Sequence, residues 1–321
     1  MELNPGHFMA GARRTFTAWF DASAAPAVTS AVEARRIDWL RMLPFIAMHL
    51  GCLGVLWVGW SPTAVAVAAG LYALRMFAIT GFYHRYFSHR AFRTSRAAQL
   101  VFAVLGAAAV QRGPLWWAAQ HRHHHSHADG AQDNHSPRQH GFLWSHMGWF
   151  MTRASFATRL ERVPDLAKFP ELRFLDRYDA LVPAALAILL YLSGAALEHW
   201  APSLDTNGAQ ILVWGFAIST VALYHVTFTI NSLAHRIGWR RYATRDDSRN
   251  NGWLALLTFG EGWHNNHHHF PGAARQGFRW WEIDLTYYFL LALAALGLIW
   301  DLRAVPAKIR DAHRFNRRTS P

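Results

Sequence analysis

Four long apolar stretches dominate the hydrophobic pattern of the chain. They cover residues 40–60, 63–83, 180–200 and 209–230, and each holds about 21 residues with very few charges. A helix of that length measures roughly 31 Å, which is enough to cross the hydrocarbon core of a membrane. Ser61 and Pro62 separate the first two stretches, and residues 201–208 separate the last two. The pattern predicts two membrane-spanning helical hairpins.

Two further apolar stretches are too short or too interrupted to be assigned as spans. Residues 97–119 are broken at 111–114, so we expect a helix that dips into the membrane or lies under a functional site. Residues 283–300 precede a basic tail, residues 301–321. We expect 283–300 to lie in the interface or on the rest of the protein, with residues 1–38 as an N-terminal interfacial segment.

The distribution of arginine predicts the orientation. Both short connections between spans, 61–62 and 201–208, lack Lys and Arg, whereas the N-terminal segment, residues 84–178 and everything after 235 are rich in Arg. Basic residues favour the cytoplasmic side. We therefore predict an all-α membrane protein with four transmembrane helices, a cytoplasmic helical cap and both termini in the cytoplasm. No linker or repeat interrupts it, so residues 1–321 are predicted to form a single membrane-embedded domain.

Composition excludes several classes of protein. Of 321 residues 52% are hydrophobic and 16% charged, with a net charge of +12. The charge is nearly all Arg and forms no basic stripe on a soluble module, which argues against nucleic acid as a partner. Cys52 is the only cysteine in the sequence, so an iron–sulfur cluster or a cysteine-bound zinc is excluded. The Arg- and Ala-rich composition favours a bacterial source, hence an inner-membrane location.

Histidines form three clusters outside the predicted spans. His121, His124 and His125 have the i, i+3, i+4 spacing that puts three imidazoles on one helix face, and His123 points elsewhere. His264, His267 and His268 repeat that spacing. His84 and His89 are five apart, about 140° round a regular helix, so they share a centre only if the helix ends or distorts between them.

A further pair follows the fourth stretch, where Asn231 and His235 stand at i and i+4. With His235 the candidate ligands number nine, and one metal takes at most six. Nine imidazoles therefore predict two metals, each with four or five ligands and open positions. Nitrogen ligation favours iron, copper or zinc over calcium or magnesium, and it does not choose among the three.

The combination of HRYFSH, HRHHH, SHMGW, NSLAH and GEGWHNNHH resembles the membrane fatty acyl desaturases of the stearoyl-CoA desaturase type. The resemblance covers roughly residues 40–300. It implies two iron ions, dioxygen as oxidant and insertion of a cis double bond, commonly at carbon 9. It also implies that the nine histidines are the ligands and that Asn231 binds through a water. By the same resemblance Gln111, Trp117 and Thr227 line the bend of an acyl tunnel.

The residues expected to bind the acyl carrier differ from those of the acyl-CoA enzymes. Ala119 and Gln120 stand where those enzymes have Arg-Asp, and Ala154 replaces the Lys that follows Arg153. Arg153 alone remains as a candidate carrier contact. The substrate is therefore expected to be a fatty acyl chain linked to CoA, to lipid or to a carrier protein, and we hypothesise that CoA is the poorest of the three.

Electrons must come from another protein, because the chain has no H-P-G-G haem-binding stretch and no cysteine cluster. A ferredoxin, a rubredoxin or a cytochrome b5-like donor is implied, and an acidic one would be attracted to an Arg-rich face. Alternatives are a hydroxylase on the same scaffold and a non-enzymatic metal-binding or transport protein. A transporter would need ionisable residues at mid-membrane and broken helices in matched halves.

Overall fold

A computed structural model describes residues 17, 19–24 and 30–312. The predicted N-terminal segment and C-terminal tail therefore lie partly outside the described residues. The described chain is mostly helical, and its strands are two residues long: Arg93–Thr94 pairs antiparallel with Ile299–Trp300. The all-α prediction is correct apart from this pair.

Four helices are long and apolar enough to cross a membrane. They run over Trp39–Val58, Pro62–Ser88, Leu181–Trp200 and Gly208–Ser232, which confirms the four predicted spans. The side chains of Leu189 and Leu192 are exposed on the third of these helices. An apolar helix surface without a protein partner is typical of a helix that faces lipid. The cytoplasmic orientation stays a prediction.

The chain divides into two compact units. Among the described residues, the first comprises those up to 74 together with 107–116 and 150–223, and the second comprises 75–106, 117–149 and those from 224 onward. The prediction of a single domain is neither confirmed nor contradicted by this division.

The first unit is organised around the residues that begin and end its spans. Asp38 caps the first helix, because its carboxylate accepts a hydrogen bond from the backbone N–H of Arg41. That helix ends before Gly59, whose φ of 63° suits glycine. Gln210 then joins the segments: its amide donates to the Val58 carbonyl, and its oxygen accepts from the Ser61 hydroxyl at 2.7 Å. Buried polar groups are thereby satisfied where both hairpins turn.

Short helices complete the first unit. The short described helices that lie wholly in this unit cover Ala22–Ala24, Ala31–Ala34, Arg153–Phe156, Leu160–Arg162, Pro164–Ala167, Pro170–Arg177 and Pro202–Leu204, and Trp149–Met151 begins one residue before it. Asp176 is buried among them and accepts hydrogen bonds from the Trp116 backbone N–H and the Thr158 hydroxyl. Burial raises the pKa of the Asp176 carboxyl to about 6, against those hydrogen bonds.

The second unit contains the ends of two spans and a set of shorter helices. The helices that lie wholly or mostly in this unit cover Arg96–Ala107, Pro114–His127, Pro137–His140, Trp144–Gly148, Gly252–Leu257, His264–His269, Leu285–Ala295 and Ala307–Asp311. The predicted helix at 97–119 is thus two helices. Val110 and Arg112 interrupt it with φ of 60° and 69°, values that no helix accommodates.

The stretch 283–300 does not form a span. Its helix, Leu285–Ala295, has 11 residues and is shorter than a membrane crossing requires. Thr286 forms a hydrogen bond with Thr80, and the chain then enters the strand Ile299–Trp300. The helix therefore packs on the protein, in agreement with the second of the two placements expected from the sequence.

Candidate metal centre

A π-helix positions the first two histidines. Residues Ala78–Ser88 form eleven residues of π-helix, and the backbone N–H of His89 bonds to the His84 carbonyl five residues earlier at 3.2 Å. This i→i+5 pattern brings residues five apart onto one face. The ring centroids of His84 and His89 are consequently 4.8 Å apart. The distortion that the H-x4-H spacing demanded is therefore present.

Regular helices position the other histidines of the two long clusters. Helix Pro114–His127 carries His121, His124 and His125, and helix His264–His269 carries the other three. Off-face residues are held elsewhere: the His123 ring contacts the Gln132 carbonyl, and the His269 ring contacts the Ile309 carbonyl. The structure confirms that these two rings stand apart from the rest.

The nine predicted histidines gather into two groups, both within the second unit. In each group the candidate ligand atoms lie within 4.8 Å of one another. The five-histidine group contains His84, His89, His121, His125 and His267. The four-histidine group contains His124, His235, His264 and His268. Asn231 is half-buried in the last turn of its helix, and its binding through a water stays a prediction.

Ring nitrogens face one another across each group. In the five-histidine group the Nε2–Nε2 distances are 3.1 Å for His84–His267, 2.8 Å for His89–His121 and 2.9 Å for His125–His267. In the four-histidine group His235 and His264 are 3.0 Å apart. Nitrogens bound about 2.1 Å from one metal at right angles stand roughly 3 Å apart. The spacing therefore fits two metal ions.

Protonation also fits metal binding. Burial, reinforced by the neighbouring imidazoles, holds the pKa of five of these histidines well below the ordinary value: His89, His121, His125, His264 and His267. Neutral imidazole is the form that binds a metal. Within the described chain the buried Nε2 of His268 has no hydrogen-bond partner. A lone pair in that position can be satisfied by a bound cation.

Four carboxylates that the sequence interpretation missed hold the other ring nitrogen of four of these histidines. The Nδ1–carboxylate pairs are His84–Glu261 at 2.6 Å, His124–Asp133 at 3.0 Å, His235–Asp129 at 2.7 Å and His268–Asp246 at 2.9 Å. Ligating histidines commonly donate to a carboxylate in this way. Asp129 and Asp133 follow the second cluster closely in sequence, and that proximity was the available signal.

Those carboxylates are ionised. Burial works against the charge of Asp129, but the His235 ring and the Ser136 hydroxyl hold the pKa of this carboxyl far below its usual range. Asp133 and Asp246 follow the same pattern, opposed by burial and stabilised by His135 with His124 and by His268 respectively. Each carboxylate therefore keeps the Nδ1–H tautomer and leaves Nε2 free to face the centre.

The predicted substrate residues fall in different places. The Trp117 ring stacks on His121, with centroids 5.0 Å apart, and its centroid lies 6.0 Å from that of His84. The Thr227 hydroxyl donates to the Tyr224 carbonyl. Gln111 and Arg153 belong to the first unit, where the Arg153 guanidinium pairs with Glu33 at 2.9 Å. Trp117 is therefore the predicted substrate residue that contacts the five-histidine group directly.

Four apolar helices of spanning length and nine convergent imidazoles define a membrane-type helical protein with a candidate dinuclear metal centre. Residues 57–301 match the fatty acid desaturase family, and the chain belongs to that family. It is an oxidoreductase that acts on acyl chains, as its relatives are.

Curated relatives cover most of the chain. The palmitoyl-monogalactosyldiacylglycerol delta-7 desaturase of Arabidopsis thaliana is 38% identical, over 84% of this chain and 70% of its own length. The sn-1 stearoyl-lipid 9-desaturase of Anabaena variabilis is 37% identical, over 85% of this chain and 96% of its own. The acyl-CoA 5-desaturase AL21 of Anemone leveillei is 38% identical, over 86% and 85%.

Proposed function

We propose that this protein is a dioxygen-dependent acyl desaturase that inserts a cis double bond at carbon 9 of a saturated chain. Two irons would be bound by the nine histidines, with Asn231 contributing through a water. Electrons would come from a separate ferredoxin, rubredoxin or cytochrome b5-like donor. The observation that carries the proposal is the gathering of nine imidazoles into two groups with facing Nε2 atoms about 3 Å apart.

When bound, the irons would activate dioxygen, the oxidant needed to remove hydrogen from an unactivated methylene, a step that no side-chain acid, base or nucleophile can perform. The protein's own residues orient and shield the site. Glu261 fixes the tautomer of His84, and Asp129 does the same for His235. Trp117 covers one side of His121 with an apolar ring and so limits the access of water there.

The double-bond position is proposed from the relatives, whose names place it at carbon 5, 7 or 9. The stearoyl-lipid 9-desaturase of Anabaena variabilis aligns over 96% of its length, and this supports carbon 9. Thr227 and Trp117 are proposed to contact the acyl chain. Gln111 is proposed for the same role on the resemblance alone.

We further propose that the acyl chain is carried by a membrane lipid. Ala119 and Gln120 are both buried, and neither offers a charge to the phosphates of CoA. Arg153, the remaining candidate, already pairs with Glu33. Each lost charge-assisted bond costs about 1.5–3 kcal/mol, so two such losses weaken CoA binding roughly a hundredfold or more.

The test is product analysis after expression in a host that lacks its own desaturase. Mass spectrometry of the lipids should find a monounsaturated chain with its double bond at carbon 9. A hydroxylated product would contradict desaturation, and a double bond elsewhere would contradict the position alone. His264→Ala should abolish the product.

The carrier is tested separately with purified enzyme and a working electron donor. Turnover of stearoyl phospholipid in nanodiscs should exceed turnover of stearoyl-CoA or a stearoyl carrier protein. Arg153→Ala should leave lipid turnover unchanged. Efficient use of stearoyl-CoA at low micromolar concentration, lost in Arg153→Ala, would overturn the lipid assignment and leave the desaturase assignment intact.

A further inference from the structure

Carboxylates support the two histidine groups unequally. In the four-histidine group three of the four rings donate Nδ1–H to an aspartate: His124 to Asp133, His235 to Asp129 and His268 to Asp246. Within the described part of the chain, no Arg or Lys nitrogen lies within 4.0 Å of these three carboxylates. Their negative charges therefore face the four-histidine group without a guanidinium or ammonium in direct contact, and they favour a cation there.

The five-histidine group has much weaker anionic support. Among the described residues, Glu261 is the only carboxylate within 4.0 Å of its ring nitrogens, and it contacts His84 alone. The other oxygen of Glu261 pairs with the Arg85 guanidinium at 3.1 Å, and Arg85 also pairs with Asp284. This trio carries a net charge of −1, and the three aspartates of the other group carry −3.

A carboxylate behind a ligating histidine strengthens metal binding in two ways. It fixes the tautomer that presents Nε2, and its negative charge raises the basicity of the ring and attracts the cation. Loss of one such partner typically weakens metal affinity ten- to hundredfold. The fifth imidazole of the larger group adds a bond but no charge. The two additional carboxylates of the four-histidine group should therefore raise its metal affinity more than the one additional imidazole raises that of the five-histidine group.

We propose that the two metal positions differ in affinity and that the four-histidine group binds a divalent cation first and more tightly. Asp129, Asp133 and Asp246 are positioning residues that set this order. The inference rests on the proposed two-metal function, but it concerns binding alone and is tested without turnover.

The probe is Co²⁺ added to the full-length protein in detergent after removal of bound metal with a chelator. Absorbance bands of protein-bound Co²⁺ should show two binding steps, the first at least tenfold tighter. Anomalous diffraction at the cobalt edge, from crystals given one equivalent, should place that ion in the four-histidine group. Failure to bind two ions would contradict the proposed centre itself, and two ions in the reverse order would overturn only this inference.

Variants assign the two steps. Asp246→Asn and Asp133→Asn should each weaken binding at the four-histidine group ten- to hundredfold and leave binding at the five-histidine group unchanged, while Glu261→Gln should weaken only binding at the five-histidine group. Asp247→Asn is the matched control, since it removes the same charge at the neighbouring position from a side chain that pairs with Arg138 at 3.7 Å. The inference fails if Asp246→Asn weakens binding at the four-histidine group no more than Asp247→Asn does.

Discussion

Replacing Arg85 with methionine should strongly destabilise the second unit. The Arg85 side chain is buried and makes contacts to Asp284, to Glu261 and to the Ala274 carbonyl, the last at 2.8 Å. Methionine fills similar space but leaves two buried carboxylates without their cationic partner. Breaking such a buried ion pair costs about 3–5 kcal/mol. The orphaned carbonyl of Ala274 adds about 1 kcal/mol. The expected loss is about 5 kcal/mol.

That loss converts to a measurable shift in thermal midpoint. The unfolding entropy of a chain of 321 residues is about 0.7 kcal/mol per kelvin, so 5 kcal/mol corresponds to a fall of about 7 °C. The measurement is thermal unfolding at pH 7.5, followed by intrinsic tryptophan fluorescence. It should be repeated on metal-free protein, so that loss of metal through Glu261 is separated from loss of the ion pair.

Two further variants make the result decisive. Arg93→Met is the matched control: Arg93 pairs with Asp301 at 3.4 Å, and both side chains are largely exposed, so its loss should cost under about 1 kcal/mol. The double variant Arg85→Met with Asp284→Asn should recover about 2 kcal/mol, because one stranded charge is gone. If the midpoint of Arg85→Met equals that of Arg93→Met, the reasoning about buried charge is refuted.

Three other predictions concern the metal-binding histidines, the buried Asp176 and the membrane orientation. His124→Ala and His264→Ala should each lower bound metal by about one equivalent, measured by elemental analysis, while His123→Ala and His269→Ala should retain two; equal metal in all four would contradict the assignment. Asp176→Asn should raise stability above pH 6, by on the order of 3 kcal/mol at most. The pKa of Asp176 is raised to about 6 in the fold, so wild-type stability from this group falls as pH rises from about 4 to 6. The gap between variant and wild type should widen over that window in urea titrations, and a constant gap would argue against it. Reporter fusions at Asn207 should face outward and fusions after Pro321 inward; an outward C-terminus would overturn the predicted orientation.

Features that depend on local spacing were predictable from the sequence. Hydropathy alone locates the spans, because about 20 apolar residues have few alternatives to a membrane helix. The i, i+3, i+4 spacing of His121, His124 and His125 places them on one helix face once a helix forms, but it does not show that His124 joins a different group from the other two. Helix Leu285–Ala295 was expected to avoid the membrane interior, and its length agrees with that.

Features that depend on distant parts of the chain were not predictable. Asp129 contacts His235, which lies 106 residues further along the chain, and the spacing of residues in the sequence does not indicate such a contact. Likewise Arg153 pairs with Glu33, 120 residues away, and its role at the acyl carrier stays a prediction. The π-helix lay between these cases: the spacing of His84 and His89 required a distortion without specifying its form.

The π-helix Ala78–Ser88 also separates two steps in the biogenesis of the protein. Insertion into a membrane depends on the hydropathy of a segment and not on its hydrogen-bond register. A change that restored the α register over Ala78–Ser88 would leave that segment as apolar as before, but it would turn His84 about 140° away from His89. Such a chain should be synthesised, inserted and oriented normally while lacking one of its two metals. Correct membrane topology is therefore not a sign that the centre has been assembled.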